Sequence, residues 1–170
     1  MDLEAGVVLR DGRLVAFGSG SSPRREQLVV VGPASSVRVV AATIVYAGLR
    51  RCTDAMGADL NIEGAVVQGD RLRLFQRGNG ARGCGRVGSA ILDVSLSVFV
   101  AWLQGSREVP AVTAMIEADL GETDGVPFGF TDAAITDDGR LAFIACAEDS
   151  RDVCSDGPVL GCRFGWLDDA

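Results

Sequence analysis

One hairpin phrase, written three times, constrains this chain more than any other feature. Leu3 to Ser21 reads LEAGVVLRDGRLVAFGSGS, Asn61 to Gly80 reads NIEGAVVQGDRLRLFQRGNG, and Thr131 to Asp149 reads TDAAITDDGRLAFIACAED. Each copy opens near an acid and passes into a short apolar run. It then turns at an Asp/Gly pair and returns as a second strand. The turns are predicted at Asp11-Gly12, Gly69-Asp70 and Asp138-Gly139. Gly supplies the positive φ that such tight turns need.

The residues after each hairpin extend it into a meander. In the first copy, strands are predicted at Glu4 to Leu9, Arg13 to Gly18, Gln27 to Val31 and Ser36 to Ala42. In the second they are Glu63 to Val67, Arg71 to Gln76, Ser89 to Val94 and a fourth within Val109 to Leu120. The third has Thr131 to Ile135, Arg140 to Ala145 and Val159 to Leu167, with no fourth strand and with Gly121 to Gly129 as a loop. Helical spacing of apolar residues predicts a linker helix at Ile44 to Met56, and Leu96 to Leu103, apolar almost all round, is read as a short buried helix.

Repeats of four strands at about 40 to 60 residues are the pattern of β-propeller blades, whose apolar faces are buried by stacking on neighbours. The expectation is an all-β fold: a partial, about three-blade β-propeller of antiparallel meanders with short linker helices. Residues 1–170 form a single domain, with blades at about 1–58, 59–128 and 129–170, the last incomplete. The competing reading is a β-sandwich in which the hairpin recurs by coincidence.

Composition removes several chemistries. All 16 basic residues are Arg; the chain has no Lys and no His. That excludes a His general base, a Schiff-base lysine, a Walker-type phosphate loop and His-ligated zinc. A net charge of −7 disfavours binding to phosphate backbones, so no nucleic-acid partner is expected. No apolar run is long enough for a membrane span, and the acidic start lacks the pattern of a secretory signal. The expected location is cytoplasmic. The five cysteines, Cys52, Cys84, Cys146, Cys154 and Cys162, contain no C-x-x-C pair and are read as buried or incidental thiols.

The repeats, and the RGNG and FTDAA segments above all, resemble an uncharacterised family of bacterial six-bladed propellers, akin to the phytase-like esterase propellers. The resemblance covers nearly the whole chain and matches an internal half of such a propeller. It implies the fold, and it names no activity.

Propeller topology gathers the start of each first strand and the end of each second strand at one mouth of the channel. The acids expected there are Glu4, Glu63 and Asp132, an oxygen-rich trio suited to calcium. Around them Asn61, Glu63, Arg77, Asn79, Glu148 and Asp149 would hold a small polar ligand, with Arg77 able to pair with an anionic group. Acids at these positions also staple neighbouring blades through backbone amides. Two functions follow: a non-enzymatic ligand-binding or interaction scaffold, or a calcium-dependent ester, lactone or phosphoester hydrolase like the related propellers. Arg13, Arg71 and Arg140 fall at the opposite end and are read as structural. An open arc of three blades leaves two faces bare, and the expected partner is a second copy completing a six-bladed ring.

Overall fold

A computed structural model describes residues 2–78, 88–150 and 157–168. The described residues form three four-stranded antiparallel sheets, each contiguous in sequence. Sheet 1 contains β1 (Leu3–Val8), β2 (Leu14–Gly18), β3 (Gln27–Val31) and β4 (Val37–Ala41), in that order. Helix α1 (Thr43–Met56) leads to sheet 2, built from β5 (Ile62–Gln68), β6 (Arg71–Gln76), β7 (Ala90–Ser95) and β8 (Val112–Glu117). Helix α2 (Leu96–Leu103) lies between β7 and β8. Sheet 3 has the order β9 (Glu122–Thr123), β10 (Val126–Ile135), β11 (Leu141–Glu148) and β12 (Val159–Leu167).

The hairpins turn where the sequence places them. Gly12 and Gly139 both adopt φ of 83°, and Gly69 adopts 62°. Leu9 and Arg13 close the first loop, Thr136 and Arg140 the third, each through one backbone bond, at 2.8 and 2.9 Å. The Asp of each Asp-Gly pair is then clamped by the following arginine: Arg13 Nε donates to Asp11 and Arg140 Nε to Asp138, both at 2.8 Å. The repeated arginines at these turns are therefore structural.

Sheet 3 departs from expectation at its start. GETDGVPFG is a hairpin rather than a loop, because Asp124 and Gly125 adopt φ of 51° and 73°. Two successive positive φ values make the turn that suits antiparallel strands. This hairpin supplies a short fourth strand on the side opposite to that of a continued meander.

Cross-strand register assigns every residue to a face. On sheet 1, the rows Val7–Val15–Val30–Arg38 and Ala5–Phe17–Leu28–Val40 form one face, here called the front. It packs on the rows Ala65–Leu74–Leu92 and Val67–Leu72–Val94 of sheet 2, with α1 and α2 filling the space between. The opposite face of sheet 2, with Val66, Phe75 and Ile91, packs on Phe130, Ala133 and Leu141 of sheet 3. Phe75 and Phe130 meet edge to face at 5.1 Å. Over β5, β6 and β7, sheet 2 is thus buried on both sides.

A buried ion pair lies in the second of these interfaces. Arg73 and Asp93 stand directly opposite each other on β6 and β7, with Nε 3.0 Å from Oδ1 and both side chains buried. Gln68 accepts a further bond from the Arg73 guanidinium at 2.9 Å.

Cys146 and Cys162 form a disulfide, which corrects their reading as incidental thiols. They are directly paired on β11 and β12 with Cα atoms 4.1 Å apart, the close spacing of facing antiparallel residues. Cys52 is a free thiol, and Cys84 and Cys154 lie outside the described residues.

Truncating Phe75 tests the stacking of sheet 2 on sheet 3. Phe75→Ala is expected to lower the unfolding free energy by about 3–5 kcal/mol in urea titration. A loss below about 1 kcal/mol would mean that the ring is not packed between sheets.

Candidate functional site

The inner strands β1, β5 and β10 share a local defect. Pairing with the second strand slips between Leu3 and Ala5, between Ile62 and Gly64, and between Phe130 and Asp132. A β-bulge places one extra residue there and re-aims the side chains around it. The residues at the slip are Glu4, Glu63 and Thr131. Threonine, not Asp132, is therefore the third member of the set. The inner strands also come close together: a Cβ on Gly64 would lie 3.1 Å from the Ala133 nitrogen on β10.

Glu63, Arg77 and Glu148 meet at this end of sheets 2 and 3. Arg77 Nη1 lies 3.5 Å from Glu63 Oε1, and Nη2 donates to Glu148 Oε2. Asn61 Nδ2 donates to Glu63 at 2.9 Å, and the Gly157 amide donates to Glu148 at 2.6 Å. The three charged side chains are only 12–13% exposed, so the guanidinium is walled in by its two carboxylates. Burial pushes the Glu63 carboxyl above its ordinary value, while Arg77 and Asn61 pull the other way.

The backbone beneath this cluster is fixed by buried polar groups. Gln76 accepts from the Asn61 amide at 2.7 Å and donates to the Asp59 carbonyl at 2.6 Å. Arg77 N–H donates to the Asn61 carbonyl, and Ser89 Oγ donates to the Arg77 carbonyl at 2.7 Å. The Ile62 amide donates to the Ser19 carbonyl at 2.8 Å, which joins sheet 2 to the end of β2. Ser89 was not singled out from sequence; a lone serine before an apolar strand gives no signal of this role.

Glu4 stands near the same end on sheet 1. Its carboxyl is raised first by burial, then by the charges of Glu63 and Asp2, with Arg25 opposing. Asp2 is itself paired with Arg25 at 2.6 Å. The Asp132 backbone lies beside Gly64, but its side chain faces away: the exposed carboxylate accepts from the Ala133 amide at 2.8 Å and borders a groove with Ile144 and Phe164. The trio Glu4, Glu63 and Asp132 does not converge. Among the described residues no group of three or more His, Cys, Asp or Glu side chains is arranged to hold a metal ion. Asp149 follows Glu148 and is tied by its amide to the Pro158 carbonyl at 3.0 Å. Asn79 lies outside the described residues.

The three-fold hairpin, its bulges and the Arg77 cluster characterise a chain whose full length, residues 1–170, matches one family model. The chain belongs to DUF6910, a family of unknown function. No curated protein matches this DUF6910 chain. No helix among the described residues is long and apolar enough to cross a membrane.

Removing the guanidinium would leave two nearly buried carboxylates unpaired. Arg77→Met is expected to cost about 3 kcal/mol at neutral pH. Glu63 already has a raised carboxyl, and losing Arg77 raises it further. A folded-state pKa above the unfolded one gives stability that is present below the unfolded value and lost as pH rises through the folded value. The deficit of Arg77→Met should therefore shrink as pH falls towards the ordinary carboxyl value of 4.5. Urea titrations at neutral and acid pH check this; a pH-independent deficit would contradict the pairing.

Proposed function

We propose that this DUF6910 chain is a three-blade arc of a β-propeller that serves as a binding scaffold. The recurrence of one inner hairpin with one bulge supports the propeller reading. So does the adjacency of the inner strands, each sheet stacking its front on the next sheet's other face.

The observation that carries the scaffold reading is the closure of Arg77 on Glu63 and Glu148. The acid best placed for metal or acid–base chemistry is committed to an internal cation that ties sheet 2 to sheet 3. A guanidinium held by two carboxylates is also not free to grip an anionic substrate. Glu4 lies close enough to Glu63 and Asp2 for their charges to raise its carboxyl, so a ligand at this end would meet negative charge.

The hydrolase reading rests on the same acids. The charge of Glu63 raises the Glu4 carboxyl, and a divalent cation between the two would relieve that repulsion. Calcium-titrated thermal melts separate the two readings, because a ligand of the folded state raises its melting temperature. The scaffold reading expects no shift with calcium and no ester hydrolysis. A calcium-dependent rise in melting temperature that Glu63→Gln abolishes would replace it with the metal-dependent one.

A further inference from the structure

The stack leaves two sheet faces bare, and register shows that they are of opposite kinds. On sheet 1 the back carries the rows Val8–Leu14–Val31–Val37 and Gly6–Ala16–Val29–Val39, with Gln27 and Ala41 at its end. Both rows are wholly apolar, yet Val8 and Val37 are 66% and 65% exposed. On sheet 3 the front carries the rows Ala134–Ala142–Trp166 and Asp132–Ile144–Phe164, where Phe164 is 63% exposed. Asp132, Ala134, Ala142, Ile144 and Phe164 border a shallow groove of about 110 Å³.

Inside the chain, a front always meets a back. The bulges align Leu3, Ile62 and Phe130, and with them Val7, Val66 and Ala134 on the fronts and Val8, Val67 and Ile135 on the backs. The front of sheet 1 packs on the back of sheet 2, and the front of sheet 2 on the back of sheet 3. The chain therefore ends in an unused front at sheet 3 and an unused back at sheet 1. It carries both halves of the contact that it already makes twice.

We propose that a second copy of this chain covers both faces, front of sheet 3 on back of sheet 1, twice about a two-fold axis. The inference rests on the propeller reading above. A head-to-tail contact closes into a ring when its rotation permits. Propellers typically have about four to eight blades, and with three sheets per copy only two copies fall in that range. Wide apolar sheet faces of this kind mark protein interfaces. The acid on the front, Asp132, already has a backbone donor in the Ala133 amide.

Sedimentation velocity at micromolar concentration tests this. The wild type should sediment at twice the chain mass, and Trp166 emission should shift to shorter wavelength as concentration rises. Val39→Asp on the back and Phe164→Asp on the front should each give monomers with unchanged circular dichroism. Mixing these two variants should restore a dimer, because one interface then carries both substitutions and the other carries none. Should either variant unfold, Val37→Ser and Trp166→Ser take their places. A monomeric wild type would overturn the proposal and leave the faces to a different partner or to further sheets of a longer polypeptide. Open-ended polymers, dimers sensitive to only one variant, or a mixture that stays monomeric would overturn it as well. Glu63→Gln should leave the mass unchanged, so failure of the assembly and failure of the scaffold reading give separate results.

Discussion

Everything in this structure depends on sheet 2 having no wet face over its inner three strands. Val67, Leu72 and Leu74 point one way and Val66, Phe75 and Ile91 the other, and both sets are covered by a neighbouring sheet. A sheet of this composition would be insoluble alone. Stacking turns that liability into the main cohesive term, since burying a large apolar side chain contributes about 1.5–3 kcal/mol. The helices serve the same interface. Tyr46 and Leu49 of α1 and Phe99 of α2 belong to the core shared by sheets 1 and 2. The Tyr46 hydroxyl donates to the Gly18 carbonyl at 2.6 Å, and its ring occupies the space that a side chain on Gly20 would need.

The parts legible in the sequence are those with local causes. Asp11-Gly12, Gly69-Asp70 and Asp138-Gly139 turn as read, because a positive φ is a property of the turn itself. Helix α2 spans Leu96–Leu103, the run that is apolar almost all round, with Ser95 as its N-cap. Helix α1 ends at Met56, where Gly57 takes the left-handed cap. What escaped depends on register. A one-residue bulge decides whether Thr131 or Asp132 corresponds to Glu63, and adjacent residues in a strand point to opposite faces. The acid pattern alone favoured Asp132, which the register sends to the outer face. Asp93 sits in the apolar run AILDVS, and only the pairing of β6 with β7 reveals that Arg73 lies across from it. The Cys146–Cys162 bond is equally invisible without strand pairing.

Charge at the inner-strand end is handled by internal neutralisation. Arg77 takes up the charge of Glu63 and Glu148, Arg25 that of Asp2, and Arg50 that of Glu26, the last at 2.6 Å. With no Lys available, each of these contacts uses a planar guanidinium, which can meet several acceptors at once. Arg50 illustrates this, since the same nitrogen also reaches the Gly20 carbonyl at 2.8 Å. Asp2, Glu26, Glu63 and Glu148 are thus each paired with an arginine of the chain itself.

The Cys146–Cys162 bond joins two strands that are also neighbours in the sheet. It closes a covalent ring around the connection from β11 to β12. A protease cut anywhere between residues 147 and 161 would therefore release nothing. The two pieces would travel as one molecule until the disulfide was reduced. With β12 still laid against β11, the nicked chain would keep its third sheet.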